Sequence, residues 1–259
     1  MRAAVLGRPV AHSLSPRLHR AAYAALGLDW TYDAVELDAA ALPAFLAGLG
    51  ADWAGLSLTM PLKQAVLPLL DSCEELARDV AAANTVVLTG GRRHGHNTDV
   101  AGIVAALREV GVTQVERPVV LGGGATARSA LAALACLGCR TPVLVVRSAP
   151  VDTLAAADRL GVRPTVTALS PAVFDGCDLV LSTLPAGAAD RVAAYVREVP
   201  AMLDVVYDPW PTALAAACGG VVVSGAQMLL HGAAAQVELM TGRTAPLAAM
   251  RLALAGLKA

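Results

Sequence analysis

Aromatic residues are scarce: three Trp, four Tyr and two Phe make up 3% of the 259 positions. Single-stranded nucleic acids stack their bases on such rings, so that binding platform is missing. Charge is sparse as well, at 16% of residues, with 20 Lys+Arg against 21 Asp+Glu. A net charge of −1 gives no basic footprint for a phosphate backbone, and no nucleic-acid partner is expected. A clean membrane-spanning run is absent too. The longest stretch without a formal charge, residues 209–237, is broken by Pro209, Pro211, Gly219, Gly220 and Gly225. It reads as helix, Val-rich strand and helix, which is a buried segment and not a bilayer span. The apolar run at the start is too short for a signal-peptide core and is interrupted by Arg8, so a cytoplasmic protein is expected.

Five cysteines cannot form a complete disulfide framework. Cys136 and Cys139 form one C-x-x-C, but no second pair or histidine lies nearby and a zinc site needs about four ligands. The thiols are expected to be buried. His12, His19, His94, His96 and His231 show no ligand spacing on one helix face, so they read as structural or peripheral and no metal is expected.

What is abundant is apolar: 56% of residues, chiefly Ala, Val and Leu. A chain of this mass should fold to about 10,600 Å² of surface from about 38,000 Å² unfolded, burying roughly 70%. Such a core needs no staples. Short β-type runs alternate with Ala/Leu-rich helical runs, the signature of an α/β protein. Strands are predicted at 3–7, 31–37, 54–59 and 85–95, the last folded back at Gly90-Gly91, with helices at 16–26, near 40–48 and from Pro61. Ser72 and Glu75 have the spacing of a capping box. Residues 97–111 form an amphipathic helix that could link two lobes. From Pro118 the rhythm is regular, with further strands ending near 121, 146, 167, 183, 206 and 225, and helices at 226–241 and 246–257 close the chain. The pattern is two α/β lobes with a C-terminal helix pair that returns to the first.

Gly122-Gly123-Gly124-Ala125-Thr126-Ala127 fits G-x-G-x-x-G/A between a strand and a helix. The first glycine permits the tight turn, the second lets backbone N–H groups approach a pyrophosphate, and the small last residue allows close helix–strand packing. The helix N-terminus adds partial positive charge for the anion. Three glycines alone could simply make a turn; the strand–turn–helix context favours a dinucleotide. NAD enzymes usually place Asp or Glu about 20 residues on. Here no Asp or Glu occurs between Glu116 and Asp152, and the next strand ends in Arg147-Ser148. Guanidinium pairs bidentately with a phosphate that a carboxylate would repel, so NADP(H) is the expected cofactor. The other reading of Arg147 is an ordinary surface cation.

Four motifs occupy the first hundred residues. In Gly7-Arg8-Pro9-Val10-Ala11-His12-Ser13-Leu14-Ser15-Pro16, an extended chain would point Ser13 and Ser15 to one side, where two hydroxyls could clamp a carboxylate. Ser15 before Pro16 also reads as a helix N-cap. In Ser57-Leu58-Thr59-Met60-Pro61-Leu62-Lys63, Pro61 suits a first helical turn and sets Lys63 near the positive end of the dipole, a position that favours proton-transfer work over charge stabilisation. A snorkelling surface lysine is the alternative. Ala83-Asn84-Thr85 precedes a strand, and Asn97-Thr98-Asp99 precedes a helix in which Asp99 has a helix-start role. Together these put hydroxyls, an amide, a lysine and a carboxylate at element ends, where open α/β sheets bind ligands.

With LGGGATA, YDPWPT and GAQMLLHGAAAQVELMTG, the motifs GRPVAHSLSPRLH, SLTMPLK, AANTVV and NTDVAG resemble the shikimate dehydrogenase (shikimate/quinate dehydrogenase) family over essentially the full length. The resemblance implies a substrate domain at 1–98, a Rossmann-type doubly wound NADP domain at 99–225 and C-terminal helices at 226–259 packing on the first. It implies reversible, NADP-dependent reduction of 3-dehydroshikimate to shikimate by a monomer or homodimer. Ser13 and Ser15 would bind the substrate carboxylate, Thr59 and Asn84 would hydrogen-bond the substrate, and Lys63 with Asp99 would contact the reacting hydroxyl. Tyr207 matches the family's substrate-side tyrosine, and Gly225 lies in the stretch bordering the nicotinamide. The chain departs from the family at Gly232, where members commonly carry Gln, and Gln236 stands one helical turn further on. Val146-Arg147-Ser148 replaces an Asn-Arg-Thr-like phosphate reader, and Ala125 stands where a Gly often follows. A quinate or aminoshikimate-type paralogue, or a ligand-sensing homologue with weak catalysis, are the alternatives.

Overall fold

The computed structural model describes residues 1–255, which divide into two compact units, 1–98 with 229–255 and 99–228. In the first unit the chain forms β1 (Arg2–Gly7), α1 (Ser15–Ala25), β2 (Thr31–Glu36), α2 (Leu42–Ala47), β3 (Trp53–Leu58), α3 (Leu62–Ala65), β4 (Ser72–Cys73), α4 (Glu75–Asp79), β5 (Thr85–Thr89) and β6 (Arg92–His96). The strands make one mixed sheet in the order β2-β1-β3-β5-β6-β4, with β5 antiparallel to both β3 and β6. Successive side chains of a strand point to opposite faces. Ala3 and Val5 of β1 therefore enter one core with Leu18, Tyr23 and Tyr32, and Ala4 and Leu6 enter another with Leu42, Leu46 and Leu62. Burial on both faces is why β1 reads as an unbroken apolar run. The predicted turn between β5 and β6 forms with positive φ at Gly90 (59°) and Gly91 (75°), the twist a two-residue hairpin requires.

The second unit contains α5 (Asp99–Glu109), β7 (Pro118–Leu121), α6 (Ala125–Cys136), β8 (Val143–Val145), α7 (Val151–Arg159), β9 (Thr165–Thr167), β10 (Leu179–Ser182), β11 (Ala201–Asp204), α8 (Ala213–Ala217) and β12 (Val221–Ser224). All six strands are parallel in the order β12-β11-β10-β7-β8-β9. Read from β9 this is the 3-2-1-4-5-6 arrangement of a doubly wound dinucleotide-binding sheet, whose order reverses beside β7. The chain then runs through α9 (Gly225–Thr241) and α10 (Leu247–Ala255). From Leu229 onward it belongs to the first unit, where Leu230, Ala233, Val237, Met240 and Met250 join the core containing Ala3 and Val5. Positions 256 and 257, expected to end the last helix, lie outside the described residues.

Several local expectations are corrected. The capping box at Ser72 does not form: Ser72 lies on β4 and its Oγ is 2.6 Å from His94 Nδ1, while α4 begins after Glu74 with no side-chain cap. Pairing with β6 outcompetes the local cap. Of the five free thiols, only Cys139 and Cys177 are buried and Cys136 is exposed, because it falls on the outer side of α6. Among the described residues no cluster could hold a metal ion and no helix is long and apolar enough to cross a membrane.

Candidate active site

In the second unit the glycine turn leaves the end of β7 at the point where the strand order reverses. Gly122 has φ +106° and donates its N–H to Val145 O at 3.0 Å. A Cβ there would stand 2.6 Å from Thr183 Oγ1, so conformation and close approach both demand glycine. At Gly123 a Cβ would come within 3.1 Å of Val146 Cγ1 and 3.2 Å of Pro150 Cβ. Gly124 occupies the cap position of α6 with no side chain serving the helix, and open space surrounds it. The first amides of α6, at Ala125, Thr126 and Ala127, thus lack a side-chain cap, the condition that makes a helix start an anion site.

A cleft of about 1030 Å³ adjoins this turn, lined by Gly122 and Gly123, by Arg147 and Ser148 after the end of β8, and by Leu184 and Arg191. Arg147 is exposed and has no ion-pair partner among the described residues, so its guanidinium is available to an anion. The sequence reading missed three residues here. Arg191 and Asp152 line the same cleft without belonging to a motif, and Thr153 Oγ1 donates to Gly123 O at 2.7 Å, tying α7 to the glycine turn.

Tyr207, half-buried, sits in the loop after β11. Asp204, 1% exposed, holds that loop by accepting from Thr212 Oγ1 at 2.7 Å and Val206 N at 3.2 Å. Burial pushes its carboxyl above the usual range while those donors pull it back. Nothing in the sequence marked Asp204, because a lone acid at a strand end has no motif of its own. Gly225 opens α9, where a Cβ would overlap the carbonyl of Val205. Asp99 is the first residue of α5 and is buried.

In the first unit the structure brings Thr59, Lys63 and Asn84 to one end of the sheet. Leu58 N donates to Asn84 O at 2.7 Å, and Ala83 N donates to Lys63 O at 2.8 Å, which lashes the segment before β5 to the segment after β3. Gly7 lies beside Thr59, whose methyl a Cβ at Gly7 would overlap. The dipole argument for Lys63 lapses, because α3 is a single turn of four residues and sums too few peptide dipoles.

Ser13 and Ser15 are not on an extended chain. Ser13 N donates to Val10 O at 3.0 Å in a turn, and Ser15 is already the first residue of α1, 4% exposed. The expected cap is reversed: Ser13 Oγ accepts from Ser15 N at 3.3 Å, and Ser15 caps nothing.

Gly232 faces Thr98, whose carbonyl oxygen would be 3.4 Å from an added Cβ, ordinary contact distance. Gln236 is 5% exposed and fully engaged: its Oε1 accepts from Ser57 Oγ at 2.7 Å and its Nε2 donates to Thr85 Oγ1 at 3.0 Å.

Residues 5–86 match the family described as shikimate dehydrogenase substrate binding domain, and residues 225–254 match the shikimate 5'-dehydrogenase C-terminal domain. The NADP(+) shikimate dehydrogenase of Moorella thermoacetica is 38% identical, with 95% of this chain and 90% of that protein covered. The chain belongs to the shikimate dehydrogenase family. Shikimate dehydrogenase from Mycobacterium tuberculosis is 44% identical with a TM-score of 0.91 over 99% of both chains. The family's Thermus thermophilus enzyme, solved in complex with NADP(H) and shikimate, is 34% identical with a TM-score of 0.87 over 99% of both chains.

Proposed function

We propose that the protein is an NADP-dependent shikimate dehydrogenase, an oxidoreductase that reversibly reduces the ketone of 3-dehydroshikimate to the secondary alcohol of shikimate. The observation that carries this reading is the glycine turn on uncapped α6 in one cleft with the exposed Arg147, in a chain 34% identical to an enzyme solved with NADP(H) and shikimate.

The cofactor fits the residues present. The turn at Gly122, Gly123 and Gly124 with the amides of Ala125 and Thr126 would hold its pyrophosphate, Arg147 and Ser148 its 2′-phosphate, and Gly225 would leave room for the nicotinamide. When bound, that ring supplies or accepts the hydride. The remaining chemistry falls to side chains. Ser13 and Ser15 hold the carboxylate, Thr59, Asn84 and Tyr207 hold the substrate's oxygens, and Lys63 with Asp99 exchanges the proton of the reacting hydroxyl. Five free thiols suit a reducing, cytoplasmic setting, where the protein would act as a monomer or homodimer.

Gly232 favours a second reading, a preference for quinate or an aminoshikimate-type substrate, since the space beside Thr98 has no side chain to define it. Turnover of shikimate, quinate and 3-dehydroshikimate is measured side by side with NADP(H) and NAD(H). Shikimate with NADP should give the highest kcat/KM. Absence of NADPH oxidation with 3-dehydroshikimate would sink the enzyme reading, and faster quinate oxidation would replace it with the second.

A further inference from the structure

Five polar side chains form one continuous chain inside the first unit. Tyr32 OH donates to Ser57 Oγ at 2.6 Å, Ser57 Oγ to Gln236 Oε1 at 2.7 Å, Gln236 Nε2 to Thr85 Oγ1 at 3.0 Å, and Thr85 Oγ1 to Asn84 Oδ1 at 2.9 Å. Tyr32, Ser57, Gln236, Thr85 and Asn84 are each 5% exposed or less. They come from β2, β3, α9, β5 and the residue before β5.

The donors of Gln236, Thr85 and Asn84 run in one direction, and a main-chain group sets that direction. Thr98 N donates to Asn84 Oδ1 at 2.8 Å, and a backbone amide has no other role, so the atom it meets is the amide oxygen. Asn84 Nδ2 then donates to Thr98 Oγ1 at 3.0 Å. Because Gln236 Nε2 can only donate, the Thr85 hydroxyl accepts from it, and its own proton goes to Asn84 Oδ1 at 2.9 Å, a shorter contact than the 3.4 Å to Thr98 Oγ1. Gln236 also donates to Asn84 O at 3.4 Å, so it touches both the main chain and, through Thr85, the side chain of that residue.

We infer that Gln236 is a positioning residue that fixes the amide plane of Asn84 through Thr85. The inference rests on the reading that Asn84 binds substrate. Without Gln236 the Thr85 hydroxyl is free to turn its proton elsewhere, and Asn84 loses one of the donors that hold its amide in a single orientation. Hydrogen bonds linked in this way polarise one another, so the loss of one link is felt at its neighbours.

The test compares steady-state constants and melting temperatures of Asn84→Ala, Gln236→Met, Thr85→Val, Thr85→Ser and the Gln236→Met/Thr85→Val pair in the full chain. The expected result is a KM for shikimate raised about 2- to 13-fold in both Gln236→Met and Thr85→Val, with KM for NADP unchanged. The double variant should be no worse than either single, since both cut the same chain. Thr85→Ser, which keeps the hydroxyl, should restore the shikimate KM and so separates the relay from packing. A Gln236→Met enzyme that melts earlier but keeps its shikimate KM, while Asn84→Ala raises it, would overturn this inference alone. An unchanged KM in Asn84→Ala would overturn the substrate role of Asn84 and the inference with it. Should Gln236→Met not fold, the Thr85→Val and Thr85→Ser pair decides, and equal KM values in those two would also overturn the relay.

Discussion

The imidazole of His19 lies on the ring of Tyr32 with centroids 4.0 Å apart and planes inclined by 17°. It is fully buried, with Nδ1 2.9 Å from Ser15 O. Burial pulls its pKa from 6.5 down to about 4, against a smaller opposing effect of the Ser15 carbonyl. An unfolded chain therefore takes up a proton between pH 6.5 and 4 that the folded one refuses. Stability should be complete above 6.5 and fall as the pH drops towards 4, by an amount on the order of 3 kcal/mol from this residue. Denaturant unfolding across that range should show a shallower slope for His19→Gln than for the parent. Equal slopes would place the acid sensitivity elsewhere.

Lys63→Ala and Asp99→Asn should each lower kcat by about 10²-fold or more if the pair handles the hydroxyl proton. Binding of NADPH, measured by fluorescence titration, should be retained in both. Unaltered turnover in either variant would remove that residue from the proton path.

Arg147→Ala should erode the preference for NADPH over NADH by about 10- to 150-fold, the range for a hydrogen bond to a charged group. Its kcat/KM with NADH should stay level. A matching loss with both cofactors would mean that Arg147 reads something other than the 2′-phosphate.

The glycine turn supplies an internal contrast. Gly122→Ala meets both a left-handed φ of +106° and the Thr183 hydroxyl, so it should cost about 1–2 kcal/mol or more in stability and weaken NADPH binding. Gly124→Ala meets no atom within 4 Å and should fold like the parent. Melting curves of the two check this ordering, and a reversed order would contradict the geometry.

Gly232→Gln should lower KM for shikimate about 2- to 13-fold, the gain from one neutral hydrogen bond. The position accepts the side chain's first carbon at 3.4 Å from Thr98 O without displacing the backbone. A KM that does not fall would show that the missing amide is not needed here.

Much of this architecture was legible because its signals are local. The glycine turn after an apolar strand announced β7 and α6, and Gly90-Gly91 announced the hairpin, since both depend on backbone sterics that only glycine satisfies. Chemistry at Lys63 and Asn84 was visible as residue type but not as arrangement. What joins them is main-chain pairing between Lys63 and Ala83, which leaves no mark in composition. The serine errors have one cause. Ser72 and Ser15 each fit a helix-cap pattern, yet β-pairing claimed the first, and α1 starts one residue early and takes the second into its first turn. Gln236 was harder still: its partners Ser57 and Thr85 lie 179 and 151 positions away. Long-range polar pairing carries no periodicity to read.

Because Leu230, Val237 and Met250 fill the same core as Ala3 and Val5, the amino-terminal sheet cannot be finished while the ribosome is still making it. During synthesis the middle of the chain, self-contained from Asp99 to Met228, emerges whole while the first hundred residues wait with one face covered only in part, by α1. Loss of the segment from Leu229 onward would thus harm the first part of the polypeptide more than the part nearest the cut.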